Sequence, residues 1–279
     1  MIHVGRLNQL EVQQIAPAGA FLGDGRDRVF LMGSEIPEGT RRGDILEVFV
    51  YTDTDDVPVA TMRRPRAMVG QFAFLEVVDT SPHGAFVDWG LEKDLFVPHK
   101  AQHRPLQIGD RAVFFVDLHE RTNRVIGATK LGRYFDYEHE HFKPNHQVRV
   151  MVYGKNPSGL HLVVDGQYRG MAYHNEVHEE LAVGEVRTAW VKEVREDGLL
   201  DISLQRLGHG ATLDARDVIL QALEEDGGFL PLHDKADPAA IRKRLSMSKG
   251  VFKKAIGGLY RDGKIRLESG GIRLSERGR

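Results

Sequence analysis

Residues 68–130 break into five short β-branched or aromatic runs, at 69–78, 85–90, 94–98, 111–117 and 123–129. None carries a helical period, and Gly, Pro, Asn or Asp closes each one. The clearest breaks are Thr80-Ser81-Pro82-His83-Gly84 and Ile108-Gly109-Asp110. Five short strands in about sixty residues suit a small closed barrel better than an open sheet.

The chain before this stretch reads as a weaker copy of it. Gly19-Ala20-Phe21-Leu22 echoes Gly84-Ala85-Phe86-Val87, and Val29-Phe30-Leu31 echoes Leu95-Phe96-Val97. Arg42-Gly43-Asp44 echoes Ile108-Gly109-Asp110, and Ala60-Thr61 echoes Ala128-Thr129. The offset stays at 65 to 68 residues, which is the mark of a duplicated unit. Arg63-Arg64-Pro65-Arg66 forms a basic junction, and its proline blocks strand continuation. Residues 131–144 fit either a short helix or an extended connector. A more divergent third copy follows, with the signature blurred to Gly159-Leu160-His161-Leu162 and the Gly-acid turn kept at Val183-Gly184-Glu185.

Past Gly208-His209-Gly210 the pattern becomes helical. Val218, Ile219, Ala222 and Leu223 keep a three-four spacing that ends at Gly227-Gly228. Asp237-Pro238 is an N-cap followed by proline at the first helical position. Ser246 or Ser248 caps a third helix with an apolar stripe of Phe252, Ala255, Ile256, Leu259 and Tyr260. Ile265 and Leu267, a turn at Ser269-Gly270-Gly271, then Ile272 and Leu274 predict a two-stranded hairpin. Three helices and a hairpin make a winged helix. The expected fold class is therefore mainly β with a C-terminal α+β module. Its domains are a degenerate barrel at 1–64, a barrel at 65–132, a divergent barrel at 144–207 and a winged helix at 213–279.

In order and spacing, His83-Gly84-Ala85-Phe86-Val87, Asp94-Leu95-Phe96-Val97, Ile108-Gly109-Asp110 and Asp117…Arg124-Val125-Ile126…Thr129-Lys130 resemble the S1-type RNA-binding domain, an OB-fold barrel. Tandem barrels followed by a winged helix resemble the CvfB (YitL-like, conserved virulence factor B) family. That resemblance implies an RNA-binding regulator of gene expression without catalysis. On the central barrel it implies that Phe86 is an outward platform for a stacked base; the competing placement is inside the barrel. His83 replaces the family's first aromatic, and Val97-Pro98 stands where the family commonly has a histidine. Asp117 and Arg124 match the family's polar pair, with Arg124 toward phosphate and Asp117 toward a base edge or 2′-OH. A cross-strand ion pair is the competing reading for those two. Phe21 is the matched platform residue of the first copy. In the third, His161 takes that place, with Tyr153 and Tyr168 nearby and Tyr168 a further candidate.

On the third helix Lys249 and Lys253 lie four apart opposite the apolar stripe, Lys254 flanks them, and Lys264, Arg266 and Arg273 decorate the hairpin. These residues suit phosphate contacts. Base readers are scarce on that face, which favours non-specific backbone contact over operator reading; protein packing is the bland alternative.

Charge supports this division. The chain carries −2 overall, while residues 214–279 hold 14 Lys+Arg against 10 Asp+Glu. A near-neutral whole argues against a histone-like, purely electrostatic binder, and the basic end is the surface suited to nucleic acid. With no cysteine in 279 residues, disulfides, thiolate metal sites and a cysteine nucleophile are excluded. His99 with His103 and His174 with His178 have i,i+4 spacing but lack the Glu order of zinc proteases and an evident third ligand. No metal, cofactor or catalytic constellation is expected. Met1-Ile2-His3-Val4-Gly5 lacks the pattern of a signal peptide, and no run approaches the roughly 20 apolar residues that span a bilayer, so a cytoplasmic location is expected. Single-stranded RNA is the expected partner. The competing functions are a DNA-binding transcription regulator led by the winged helix, and a protein-binding scaffold.

Overall fold

A computed structural model describes every residue except 55–56, 139–140, 175–176, 178–179, 207–208 and 276–279, with 209–214 described by backbone alone. The first barrel is built from β1 (Arg6–Ala16), β2 (Gly19–Gly23), β3 (Arg28–Met32), β4 (Ile45–Thr52) and β5 (Pro58–Thr61). The second uses β6 (Phe72–Ser81), β7 (Gly84–Asp88), β8 (Leu95–Pro98), β9 (Arg111–Leu118) and β10 (Val125–Ala128). The third uses β11 (Gln147–Asn156), β12 (Gly159–Val164), β13 (Tyr168–Tyr173), β14 (Val186–Val194) and β15 (Leu200–Ser203). Each closes in the order first, second, third, fifth, fourth, with the third and fifth strands parallel.

The Gly-acid turns have the same structural task in all three barrels. Gly43, Gly109 and Gly184 take positive φ, a conformation that L side chains rarely adopt. Their amides donate to Val12, Val77 and Val152 of the long first strand, each at the start of a β-bulge. The acid that follows folds back on its own turn: Asp44 accepts from the Arg41 amide, Asp110 from Gln107 and Glu185 from Ala182. The turn thus clasps the bulge that bends the first strand around its barrel.

A second recurring feature lies in the fourth strand. In β4, Val48 and Val50 enter the first barrel's core, whereas Phe49 points away and joins the core of the second. All three are 0% exposed, so β4 is buried on both faces. Phe49 meets Trp89 edge-on, with centroids 5.7 Å apart and planes at 78°. In β9 the matching aromatic is Phe115, which stacks on Tyr134 at 4.0 Å. In β14 it is Trp190, which lines a hollow with Val218, Leu245, Met247 and Val251. An outward aromatic at one register position thus meets the next part of the chain in each barrel. The connector after the second barrel forms a 3-10 turn at Leu131–Tyr134 and no α-helix among its described residues.

The C-terminal module comprises α1 (His209–Glu225), β16 (Phe229–Leu230), α2 (Pro238–Leu245), α3 (Lys249–Arg261), β17 (Ile265–Glu268) and β18 (Gly271–Leu274). Its sheet has three strands, ordered β16-β18-β17, rather than the two expected. Two-residue β16 is too short to show a period in sequence. Asp237 caps α2 and Ser248 caps α3, while Ser246 ends α2 in the left-handed region at φ 49°. Tyr260 leaves the expected stripe and is 55% exposed. Its position is rotated about 100° from Leu259, beyond the edge of the buried face. The chain divides into two units, Met1–Phe135 and Asp136–Arg279. No described helix is long and apolar enough to cross a membrane.

Phe49→Ala is expected to lower stability by about 3–5 kcal/mol, the usual cost of truncating a buried phenylalanine. Urea unfolding followed by circular dichroism and tryptophan fluorescence measures it, and an unchanged midpoint would deny Phe49 this role.

Candidate nucleic-acid interface

Strand alternation decides where Phe86 points. Ala85 and Val87 enter the second barrel's core, so Phe86 stands on the outer face of β7. In β8, Leu95 and Val97 likewise point inward and Phe96 outward. The register sets Phe86 opposite Phe96, with ring centroids 5.3 Å apart and planes at 46°. Gly84 makes the seat of this pair. A Cβ there would lie 2.3 Å from the Val97 carbonyl oxygen and 2.8 Å from the Phe96 ring. Phe96 is thus a second platform residue beside the expected Phe86.

The pair borders a cleft of about 380 Å³ whose other walls include Tyr51 and Thr52 of β4, Thr54, and the turn carrying Trp89, Lys93 and Asp94. The Trp89 indole N–H donates to the Lys93 carbonyl at 2.7 Å. Lys93 Nζ in turn donates to the Thr52 carbonyl at 2.9 Å and to the Asp53 carbonyl. His83 is exposed and lines the cleft, as does Arg124. Asp94 is half-buried, and burial, then the nearby Asp88 and Asp79 carboxylates, push its pKa above the ordinary carboxylate value.

Asp117 and Arg124 do not share a hollow. Asp117 faces another of about 520 Å³ with Lys100, Arg121, Lys130 and Arg133. There it accepts from Tyr134 Oη at 2.8 Å and from Arg133 Nη2 at 3.2 Å. Neither residue was flagged in the sequence, because both lie in the connector rather than in a barrel strand.

The same face differs in the other barrels. In the first, Phe21 pairs with Phe30 at 5.3 Å and 60°, and the Arg28 guanidinium sits over Phe21 at 4.9 Å. In the third, His161 is opposite Met171. Burial and the Arg169 charge lower the His161 pKa, favouring the neutral imidazole. Tyr153 lies 5.5 Å from that ring. Tyr168 does not join this face, which corrects the expectation. Counting alternately along β13, it shares the side of core residue Ala172 and packs on Phe142 at 4.9 Å. Tyr173, on the side of Met171, takes the outer position instead. Its hydroxyl accepts from Arg195 at 3.1 Å and reaches Asp201 at 3.5 Å.

On α3, Lys253 and Lys254 are exposed and Lys249 is half-buried; Lys264 and Arg266 are exposed on the hairpin side. Arg273 is engaged locally, donating to Glu268 at 2.7 Å with its guanidinium over Phe229 at 4.8 Å. Among the described residues no group of three His, Asp or Glu could hold a metal. His99 bonds the Pro82 carbonyl, His174 the Asn156 carbonyl, and His178 lies outside the described residues.

Residues 217–274 match the family model of the CvfB-like winged helix domain, and residues 4–63 match that of the S1 domain. The S1 match thus falls on the barrel that reads as the weaker copy. Among curated proteins the chain is similar to YitL of Bacillus subtilis, at 32% identity over 95% of this chain and 92% of that one. It is also similar to conserved virulence factor B of Staphylococcus epidermidis, at 29% identity over 99% and 96%. A solved structure from Streptococcus pneumoniae, described as a multidomain protein with nucleic acid binding domains, aligns over 98% of both chains at 26% identity and a TM-score of 0.45.

Gly84→Ala is expected to cost about 1–3 kcal/mol, because the new methyl meets backbone as well as the Phe96 ring. Chemical denaturation reads the loss; full stability would show that β7 and β8 separate freely.

Proposed function

The chain belongs to the family of YitL and conserved virulence factor B, and from that premise we propose that it binds single-stranded RNA and regulates gene expression without catalysis. The observation that carries this reading is the outward Phe86–Phe96 pair at the mouth of the cleft. Aromatic platforms stack any base, at roughly 1–3 kcal/mol per base. Arg124 and His83 beside it suit the phosphate backbone or a further stack.

The second barrel is the principal site. The first barrel's Phe21 already carries a guanidinium over its ring, and the third offers His161 and Met171 in place of two phenylalanines. Lys249, Lys253 and Lys254 add sequence-independent phosphate contacts from the winged helix. Modest affinity at each module is then multiplied by tethering.

Titration of labelled single-stranded RNA, single-stranded DNA and duplex DNA across a salt series tests the proposal. RNA is expected to bind best, and Phe86→Ala to weaken it severalfold while leaving the unfolding midpoint near that of the parent. Duplex preference that ignores Phe86→Ala would transfer the function to the winged helix, and no binding to any of the three would defeat the reading.

Replacing Lys249, Lys253 and Lys254 with alanine is expected to lower affinity evenly across sequences. It should also flatten the log–log salt slope by about 1 for each phosphate contact removed. An unaltered slope would remove α3 from the RNA surface.

A further inference from the structure

Asp94 has an unusual position among the carboxylates of the first unit. It is half-buried in the wall of an aromatic cleft, with no hydrogen bond or ion pair to any described residue. Its neighbours are engaged: Asp88 pairs with Arg66 at 2.8 Å, and Asp79 accepts from the Thr80 amide at 2.7 Å. The adjacent ammonium of Lys93 is directed at the Thr52 and Asp53 carbonyls. Burying an unpaired carboxylate beside two like charges is costly, and donors brought by a ligand would offset that cost.

Resting on the RNA-binding reading, we propose that this cleft is a guanine-selective pocket, with Phe86 and Phe96 stacking the base and Asp94 accepting from its Watson–Crick edge. Guanine presents two adjacent donors there, N1–H and the N2 amine, which match the two oxygens of one carboxylate. Adenine and cytosine each offer one amine beside an acceptor nitrogen. Uracil offers N3–H between two carbonyl oxygens. In each of those cases the second carboxylate oxygen would face a lone pair rather than a proton. A volume of about 380 Å³ gives the cleft room for a base. The aromatic pair supplies affinity that every base shares, and Asp94 supplies the difference between bases.

The test compares the full chain with Asp94→Ala, Asp94→Asn and Phe86→Ala variants. Each is titrated with short oligouridylates carrying one central guanine, inosine, adenine or cytosine. The parent is expected to bind the guanine oligomer at least ~10-fold more tightly than the adenine and cytosine oligomers, with inosine between them because it keeps N1–H but lacks the N2 amine. Asp94→Ala should abolish that preference while retaining binding to oligouridylate, whereas Phe86→Ala should weaken all of the oligomers together. Asp94→Asn, which presents one donor and one acceptor, should also lose the guanine preference at unchanged thermal stability. Equal binding of all oligomers by the parent, or a guanine preference that survives Asp94→Ala, would overturn the pocket and leave RNA binding standing. Failure to bind any oligomer would overturn both.

Discussion

The cleft depends on the edge-on contact between Phe49 and Trp89. Such a pair contributes only about 0.5–1.5 kcal/mol beyond the area it buries, so its weight comes from its position. Phe49 leaves β4 on the side away from its own barrel and fills the core of the next. Trp89 then holds the Lys93 carbonyl, and Lys93 reaches back to the Thr52 and Asp53 carbonyls at the end of β4. The circuit begins and ends on one strand. It fixes the turn bearing Asp94 against the wall bearing Tyr51, and the space left between them is the cleft.

Three barrels with one topology show which parts of the fold are constrained. Each keeps the bulge, the Gly-acid clasp and the outward aromatic of the fourth strand, because closure and docking need them. The opposite pair on the second and third strands has no such duty. It varies from Phe21–Phe30 to Phe86–Phe96 to His161–Met171 without disturbing the strands beneath. A shared scaffold thus carries different chemistry on each copy.

Much of this was legible in the chain. The turn residues delimit strands of a size that suits closed barrels, and the switch from period two to a three-four spacing marks the winged helix. Phe96 was missed although a signal existed: Phe30 and Phe96 repeat at nearly the offset of Phe21 and Phe86. Tyr168 is close to His161 in sequence, but strand parity sends it to the core side. Tyr260 lies just past a helical stripe, where periodicity separates buried from exposed least sharply. Strand β16 is pinned by its partner β18 and by little of its own.

The sequence by itself determined the barrels and the terminal module, since alternation and turn chemistry are local properties. Only the tertiary structure decided that Phe86 points outward and borders a cleft, that Asp117 and Arg124 face different hollows, and that Asp94 has no partner among the described residues. Lys93 and Asp53 are 40 positions apart, and no local pattern records their meeting. The reason is physical. A strand's period states which face is apolar, but not whether solvent or a neighbouring barrel covers it, and in β4 both faces are covered.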